Sequence, residues 1–250
     1  MRPTTGATEP AKAWVSWSSG KDSTFALHAA RQDDALEVVG LLVTFNGDAD
    51  RVAMHAVRRV LVEAQARRLG LPLHMVELPS PCPNEVYEER MAAAMAIALA
   101  QGVDHMVFGD LFLADVRAYR EQMLAAAGMT PLFPLWGQPT DELAQQMLAA
   151  GVRAVITCVD PRQLPGEFCG RAFDDQLLVD LPKGVDPCGE RGEFHTFVWD
   201  GPGFRAPIDV EIGEVLERDG FVFCDVSPRP EHPLQCGPPR SDGECASRGG

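Results

Sequence analysis

No stretch of the 250-residue chain approaches the roughly 20 uninterrupted apolar residues that span a bilayer. Met1 to Pro10 contains no apolar secretory run either. A cytoplasmic protein without a membrane partner is therefore expected. Positive charge is scarce. The chain carries 22 Lys and Arg against 36 Asp and Glu, a formal net charge of -14, which argues against nucleic acid as a partner held by neutralising many phosphates. The seven cysteines never form the C-x-x-C pair of a zinc knuckle or redox motif, so inert, mostly buried thiols are expected. Apolar material is plentiful: 46% of the residues are hydrophobic, enough for one sizeable core or for a core plus a smaller lobe.

Apolar, β-branched runs alternate with helical patterns from residue 13 onward. Trp14–Trp17, Val38–Val43, Leu73–Leu78, His105–Phe108 and Ala154–Val159 read as parallel strands. Between them, Val57, Val60, Leu61 and Ala64 recur at helical spacing before Gly70-Leu71-Pro72, and Met91, Met95, Ala98 and Leu99 do so before Gly102. Asn84 is a candidate N-cap for the latter helix, and Thr140 opens another that closes at Gly151. This alternation predicts an α/β fold, a doubly wound, Rossmann-like parallel sheet with ligands at the carboxyl ends of its strands. Residues 1–12 are expected to be flexible and 13–160 to form the main domain. The Gly/Pro-punctuated stretch 161–226 is expected to form a smaller α+β lobe with a hairpin around Ile208 to Val226, and 227–250 a disordered tail.

The segment Ser18-Ser19-Gly20-Lys21-Asp22-Ser23 lies between the first strand and a helix beginning near Asp22. A turn of small residues at a helix N-terminus exposes unpaired N–H groups at the positive end of the macrodipole and so makes an anion site. Lys21 adds a full charge, and Ser18 and Ser23 add hydroxyls. A Walker A loop is excluded, because Val15 stands where its first glycine would be and Asp22 follows the lysine. The bland alternative is an ordinary βα turn in which Ser18 or Ser19 only caps the helix.

SSGKDS after a first strand resembles the SGGxDS signature of the PP-loop ATP pyrophosphatases, of the adenine nucleotide α-hydrolase-like fold. Further motifs narrow the resemblance: Gly109-Asp110-Leu111, Pro134-Leu135-Trp136, Gly170-Arg171 with Asp174, and VDPCGERGEFHT from Val185 to Thr196. Together they resemble the diphthine–ammonia ligase family and its bacterial relatives, from about Ala13 to Val226. One departure is Ser19, where the family usually has glycine. If that position needs a positive φ, a side chain there carries a cost.

The resemblance implies a nucleotide-binding domain over 13–160, with ATP and Mg²⁺ as cofactors. It implies that an acceptor carboxylate is adenylated with release of pyrophosphate and then aminated by ammonium. Ser18, Ser19, Gly20, Lys21, Asp22, Ser23, Gly109 and Asp110 would bind the nucleotide, with Lys21 catalytic. Asp110 would meet the nucleotide or its magnesium, or else is an Asx turn residue. Arg171 would face charge on the α-phosphate or hold a carboxylate, against the alternative of a solvated surface arginine. Asp186, Cys188, Gly189, Glu190, Glu193 and His195 would hold the acceptor side. There Glu190 would hold ammonium or take its proton, and His195 would orient substrate or do acid/base work, unless it simply starts the next strand. Cys188 suits a small buried residue better than a nucleophile. The acceptor, protein or small metabolite, stays open, as does a homodimer. A tRNA thiolase and a non-catalytic adenylate-binding module are the alternatives.

Overall fold

The computed structural model describes residues 9–46, 51–52 and 57–229. Its centre is β1 (Ala11–Ser16), which pairs in parallel with β2 (Leu36–Asn46) on one side and, on the other, with a strand at His105–Val107. A two-residue β3 (Arg51–Val52) runs antiparallel at the far end of β2, and β4 (Leu73–Leu78) lies parallel beyond it. The strand at His105–Val107 is β5, and β6 (Thr130–Leu132) flanks it in parallel. The parallel order is therefore β4-β2-β1-β5-β6.

Side chains of β1 alternate between two cores. Ala13 and Val15, with Trp17 just beyond the strand, face α1 (Lys21–Ala30) and α2 (Arg59–Leu69), whereas Trp14 faces α3 (Asn84–Ala100) and α4 (Ala114–Ala127). Helices on both faces make the sheet doubly wound, as the strand–helix alternation predicts. Gly70 ends α2 at φ 68° and Gly128 ends α4 at φ 76°, the left-handed C-cap that glycine adopts without steric cost. Asn84 is not the cap of α3 but its first residue. Pro83, extended at ψ 148°, takes the cap position and no side chain accepts a cap bond. Thr140 likewise starts α5 (Thr140–Ala149) behind Pro139.

A second sheet follows, built on β7 (Arg153–Val159). This strand was expected to continue the parallel series. It instead pairs antiparallel with β8 (Ala172–Phe173), with β9 (Phe194–Asp200) and with β11 (Phe221–Pro228), which carries β10 (Val210–Arg218) at the edge. A fully apolar run reports burial on both faces and says nothing about strand direction. The expected hairpin is β10–β11, turned by Asp219 at φ 53° and Gly220 at φ 80°, the two positive values of a type I′ turn. A short helix, α6 (Asp175–Asp180), is capped by Asp174, whose carboxylate accepts from Leu177 N at 2.8 Å. Of the expected flexible ends, Ala11 and Lys12 belong to β1 and Ser227 and Pro228 to β11, while 1–8 and 230–250 lie outside the described residues. No helix among the described residues is long and apolar enough to cross a membrane.

Candidate functional site

The carboxyl ends of β1 and β5 face the start of β9, and this places the two loops singled out in the sequence against each other. After β1 the chain turns at Ser19, which sits at φ 71° and is wholly buried, its hydroxyl without a hydrogen-bond partner. The position reserved for glycine in the resembling family thus has the left-handed backbone that glycine suits, and the serine bears the cost there. Gly20 O is capped by the hydroxyls of Ser23 at 3.1 Å and Thr24 at 2.9 Å, and Lys21 N donates across to Thr196 Oγ1 of β9 at 3.1 Å. Gly109, after β5, lies so close to this turn that a Cβ there would sit 2.8 Å from the Asp22 carbonyl carbon.

Lys21 is buried, with its ammonium on Asp22 at 2.9 Å and on the Cys188 carbonyl. Burial works most strongly against the charged amine, but the Asp22 carboxylate together with Cys188 and Glu190 outweighs it and holds the Lys21 pKa above its ordinary value. The lysine therefore joins the 18–23 loop physically to the 185–194 loop.

That second loop is shaped by its own acids. Asp186 accepts from Cys188 N and Glu190 N, both at 3.1 Å, and Glu193 accepts from Asp186 N at 3.1 Å and Arg191 N at 2.9 Å. Both acids are buried, as is Cys188, whose thiol lies 3.4 Å from the Thr140 carbonyl and is pushed well above the ordinary thiol range by burial. Three residues singled out as substrate ligands thus sit inside the loop. Glu190 is different, because its carboxylate reaches the other sheet and accepts from Leu111 N at 2.8 Å. Burial, reinforced by the negative charges of Asp22 and Asp110, raises its pKa to about 7 against two opposing backbone N–H bonds. His195, the second residue of β9, lines the same cavity, and burial with the nearby Lys21 charge lowers its pKa to about 4, so the imidazole is neutral at pH 7.

These groups enclose a cavity of about 230 Å³, lined by Ser18, Lys21, Asp22, Ser23, Gly109, Asp110, Gly189, Glu190 and His195 among others. Ser18, His195 and Phe108 also line an adjoining cavity of about 290 Å³, whose remaining wall is largely apolar and includes Met91, Met95, Met106 and Met123. Arg171 reaches neither. Its guanidinium pairs with Asp180 at 2.6 Å and packs over the Phe168 ring. The arginine that does line both cavities is Arg120 on α4, which stacks on Phe108 at 4.5 Å and pairs with Asp110 at 2.8 Å. Sequence reading passed it over, although Leu113 and Arg120 are seven residues apart, two helical turns, on a helix that starts at the carboxyl end of the sheet.

Among the described residues no three His, Cys, Asp or Glu side chains form a ready metal cage. Mg²⁺ needs less, since it commonly binds through one or two carboxylates together with substrate phosphates. Asp22 and Asp110, both on the cavity wall, fit that requirement.

Comparison with known proteins bears on the whole chain. The family model of the diphthamide synthase N-terminal domain matches residues 11–131, and that of the C-terminal domain matches 139–227. The chain belongs to the diphthamide synthase family. The junction of the two diphthamide synthase matches falls between β6 and α5. Curated relatives include the diphthine–ammonia ligase of Bos taurus, 27% identical over 195 residues, which are 72% of this chain and 73% of that protein. The diphthine–ammonia ligases of Homo sapiens (27% over 164 residues) and Rattus norvegicus (31% over 163 residues) match 63% of this chain and 61% of their own length. The chain thus spans a little under two thirds of the human and rat proteins.

Proposed function

We propose that this chain is an ATP-dependent amide ligase that adenylates a carboxylate acceptor, releases pyrophosphate, and aminates the acyl adenylate with ammonia. The observation that carries this reading is the meeting of the Ser18–Ser23 loop with Glu190 and His195 on one cavity. Membership of the diphthamide synthase family and the ligase names of the relatives support it. We read the first sheet as the nucleotide half and the second as the acceptor half.

In the first step an acceptor carboxylate oxygen attacks the α-phosphorus, and the bond to the pyrophosphate oxygen breaks. The N–H groups at the start of α1 and the Lys21 ammonium face the charge that grows on the leaving pyrophosphate, where fixed dipoles act most strongly in the transition state. Arg120, which lines both cavities, is assigned the α-phosphate in place of Arg171, which lines neither. The methionine-lined cavity suits a flat, weakly polar base. Mg²⁺ bound with the nucleotide would be held by Asp22 and Asp110 and would neutralise phosphate charge.

In the second step ammonia nitrogen attacks the acyl carbon and the bond to AMP breaks. Ammonium must first lose a proton, and a carboxylate titrating near 7 is matched to that task at neutral pH. Glu190 takes this role, while neutral His195 donates or accepts a hydrogen bond to the acceptor. Sulfur transfer to tRNA is disfavoured because Cys188, in the loop that borders the cavity, is buried with its thiolate suppressed.

The test is product analysis across a carboxylate library with ammonium present. AMP and pyrophosphate are expected, and accumulation of ADP and phosphate overturns the reading. With the acceptor identified, Glu190→Gln should keep pyrophosphate–ATP exchange in the absence of ammonium while amide formation falls by about 100-fold or more. Loss of both would place Glu190 on the nucleotide instead.

A further inference from the structure

α2 buries Leu61, Val62, Ala66 and Leu69, and on the same face it buries Gln65, which is 0% exposed. An amide in a helix–sheet core is favourable only if its polar atoms are all bonded. Here they are. Gln65 Oε1 accepts from Trp17 Nε1 at 2.9 Å, and Nε2 donates to Ser19 O at 3.0 Å and to Val198 O at 2.6 Å. One side chain therefore ties the exit of β1, the 18–23 loop and β9 together.

The bond to Ser19 O has a directional consequence. That carbonyl also accepts from Val198 N at 3.0 Å, so two donors hold it on the core side. A planar trans peptide puts the following N–H opposite its C=O. The Gly20 N–H accordingly points the other way, toward the Ser18 hydroxyl at 3.4 Å, and Ser18 lines the cavity. Ser19 is a serine held in a left-handed conformation that disfavours side chains, so this peptide orientation needs external restraint.

We propose that Gln65 is a positioning residue that locks the Ser19–Gly20 peptide with its N–H on the Ser18 hydroxyl, so that Ser18 is held toward the phosphates of the bound nucleotide, and makes that orientation depend on β9 being docked. The inference rests on the nucleotide reading given above. Gln65 touches no ligand itself, and its effect is confined to the β- and γ-phosphates. It also explains why the loop of the first sheet and the His195-bearing strand of the second act as one unit: the amide bonds to both, and a shift of β9 is felt at the loop.

Isothermal titration of ATP and of AMP into the full chain and into Gln65→Met tests this. Methionine keeps the volume and removes the hydrogen bonds. ATP should bind about 10- to 100-fold more weakly to the variant, the scale of a small misplacement in a preorganised site, while AMP, which lacks the β- and γ-phosphates, should bind as it does to the parent. Equal weakening of ATP and AMP, or no change in either, overturns the proposal and leaves Gln65 as packing. Should Gln65→Met fail to fold, Gln65→Asn keeps the amide but withdraws it by one methylene, and the same selective loss of ATP is expected. A parent that binds no ATP overturns the functional reading and this proposal with it. A parent that binds ATP, with a variant that binds it equally well, overturns this proposal alone.

Discussion

The two loops that meet at the cavity are held in shape by different means. The 18–23 loop is braced in part by its own Ser18 and Ser23 hydroxyls and the Lys21–Asp22 pair, but its turn is also held from outside, by Thr196 and Val198 of β9 and by the amide of Gln65. The 186–193 loop is braced from within, by Asp186 and Glu193 closing onto backbone N–H groups two to seven residues away. The outside braces fix the backbone of the 18–23 loop, while its Ser18, Lys21 and Ser23 side chains line the cavity. A loop braced by its own acids uses most of its polar side chains on itself and presents few to a ligand. Glu190 is the acid of that loop that crosses to the other sheet, and so it is the one assigned chemistry.

Removing an internal brace should have the largest effect on stability. Asp186→Ala leaves the N–H groups of Cys188 and Glu190 without acceptors inside a buried loop, and at about 1–3 kcal/mol per unsatisfied donor a loss of about 2–6 kcal/mol is expected. Urea denaturation measures it. Asp186→Asn, which retains one acceptor, should fall between the parent and the alanine variant. An Asp186→Ala protein as stable as the parent would mean that the loop is not held by its own acids, and the contrast between the two loops would collapse.

The contrast also explains what the sequence made legible. SSGKDS could be placed on a strand-to-helix turn because an anion site at a helix N-terminus is a local property of small residues, a lysine and a following amphipathic run. The alternation of strands and helices through β5 was legible for the same local reason. β7 was misplaced because Ala154–Val159 carries burial but no direction. Asp186 and Glu193 were read as ligands because nothing in the order D-P-C-G-E-R-G-E separates an acid that folds back onto backbone from one that faces outward. Arg171 and Arg120 exchanged places for a tertiary reason. Arg171 follows a glycine in a candidate loop but turns out to Asp180, whereas Arg120 sits among the polar residues of a helix and is drawn inward by Phe108 and Asp110.

On the externally braced side, Ser19→Gly is expected to stabilise. A non-glycine residue in the left-handed region costs about 1–2 kcal/mol, and glycine gives back about 0.5–1 kcal/mol through its freedom in the unfolded chain, so a net gain of about 1 kcal/mol follows. Deleting a buried hydroxyl without a partner adds to that. In a chain of this size the melting temperature should rise by about 2–4 °C. A fall would show that the Ser19 side chain contributes packing that outweighs its backbone strain.

The effect that isolates Glu190 as the link from the 186–193 loop to Leu111 is a pH slope. The Glu190 carboxyl titrates near 4.5 in an unfolded chain and at about 7 in the folded one. Between those values the folded chain holds the extra proton, so rising pH removes stability across the window. His195 works in the other direction: its ordinary value of 6.5 drops to about 4 on folding, the unfolded chain holds the extra proton, and rising pH adds stability. From about pH 4.5 to 6.5 the two contributions oppose each other in the parent. Glu190→Gln keeps an acceptor for Leu111 N but removes the titration, leaving the histidine slope uncompensated. The melting temperature of the variant relative to the parent should therefore increase from about pH 4.5 to about pH 7 and level off above that, measured in one buffer series at constant ionic strength. A difference that stays flat over that range would mean that the Glu190 carboxylate is as well solvated in the folded chain as in the unfolded one, and that it is neither buried against the first sheet nor poised to take a proton from ammonium.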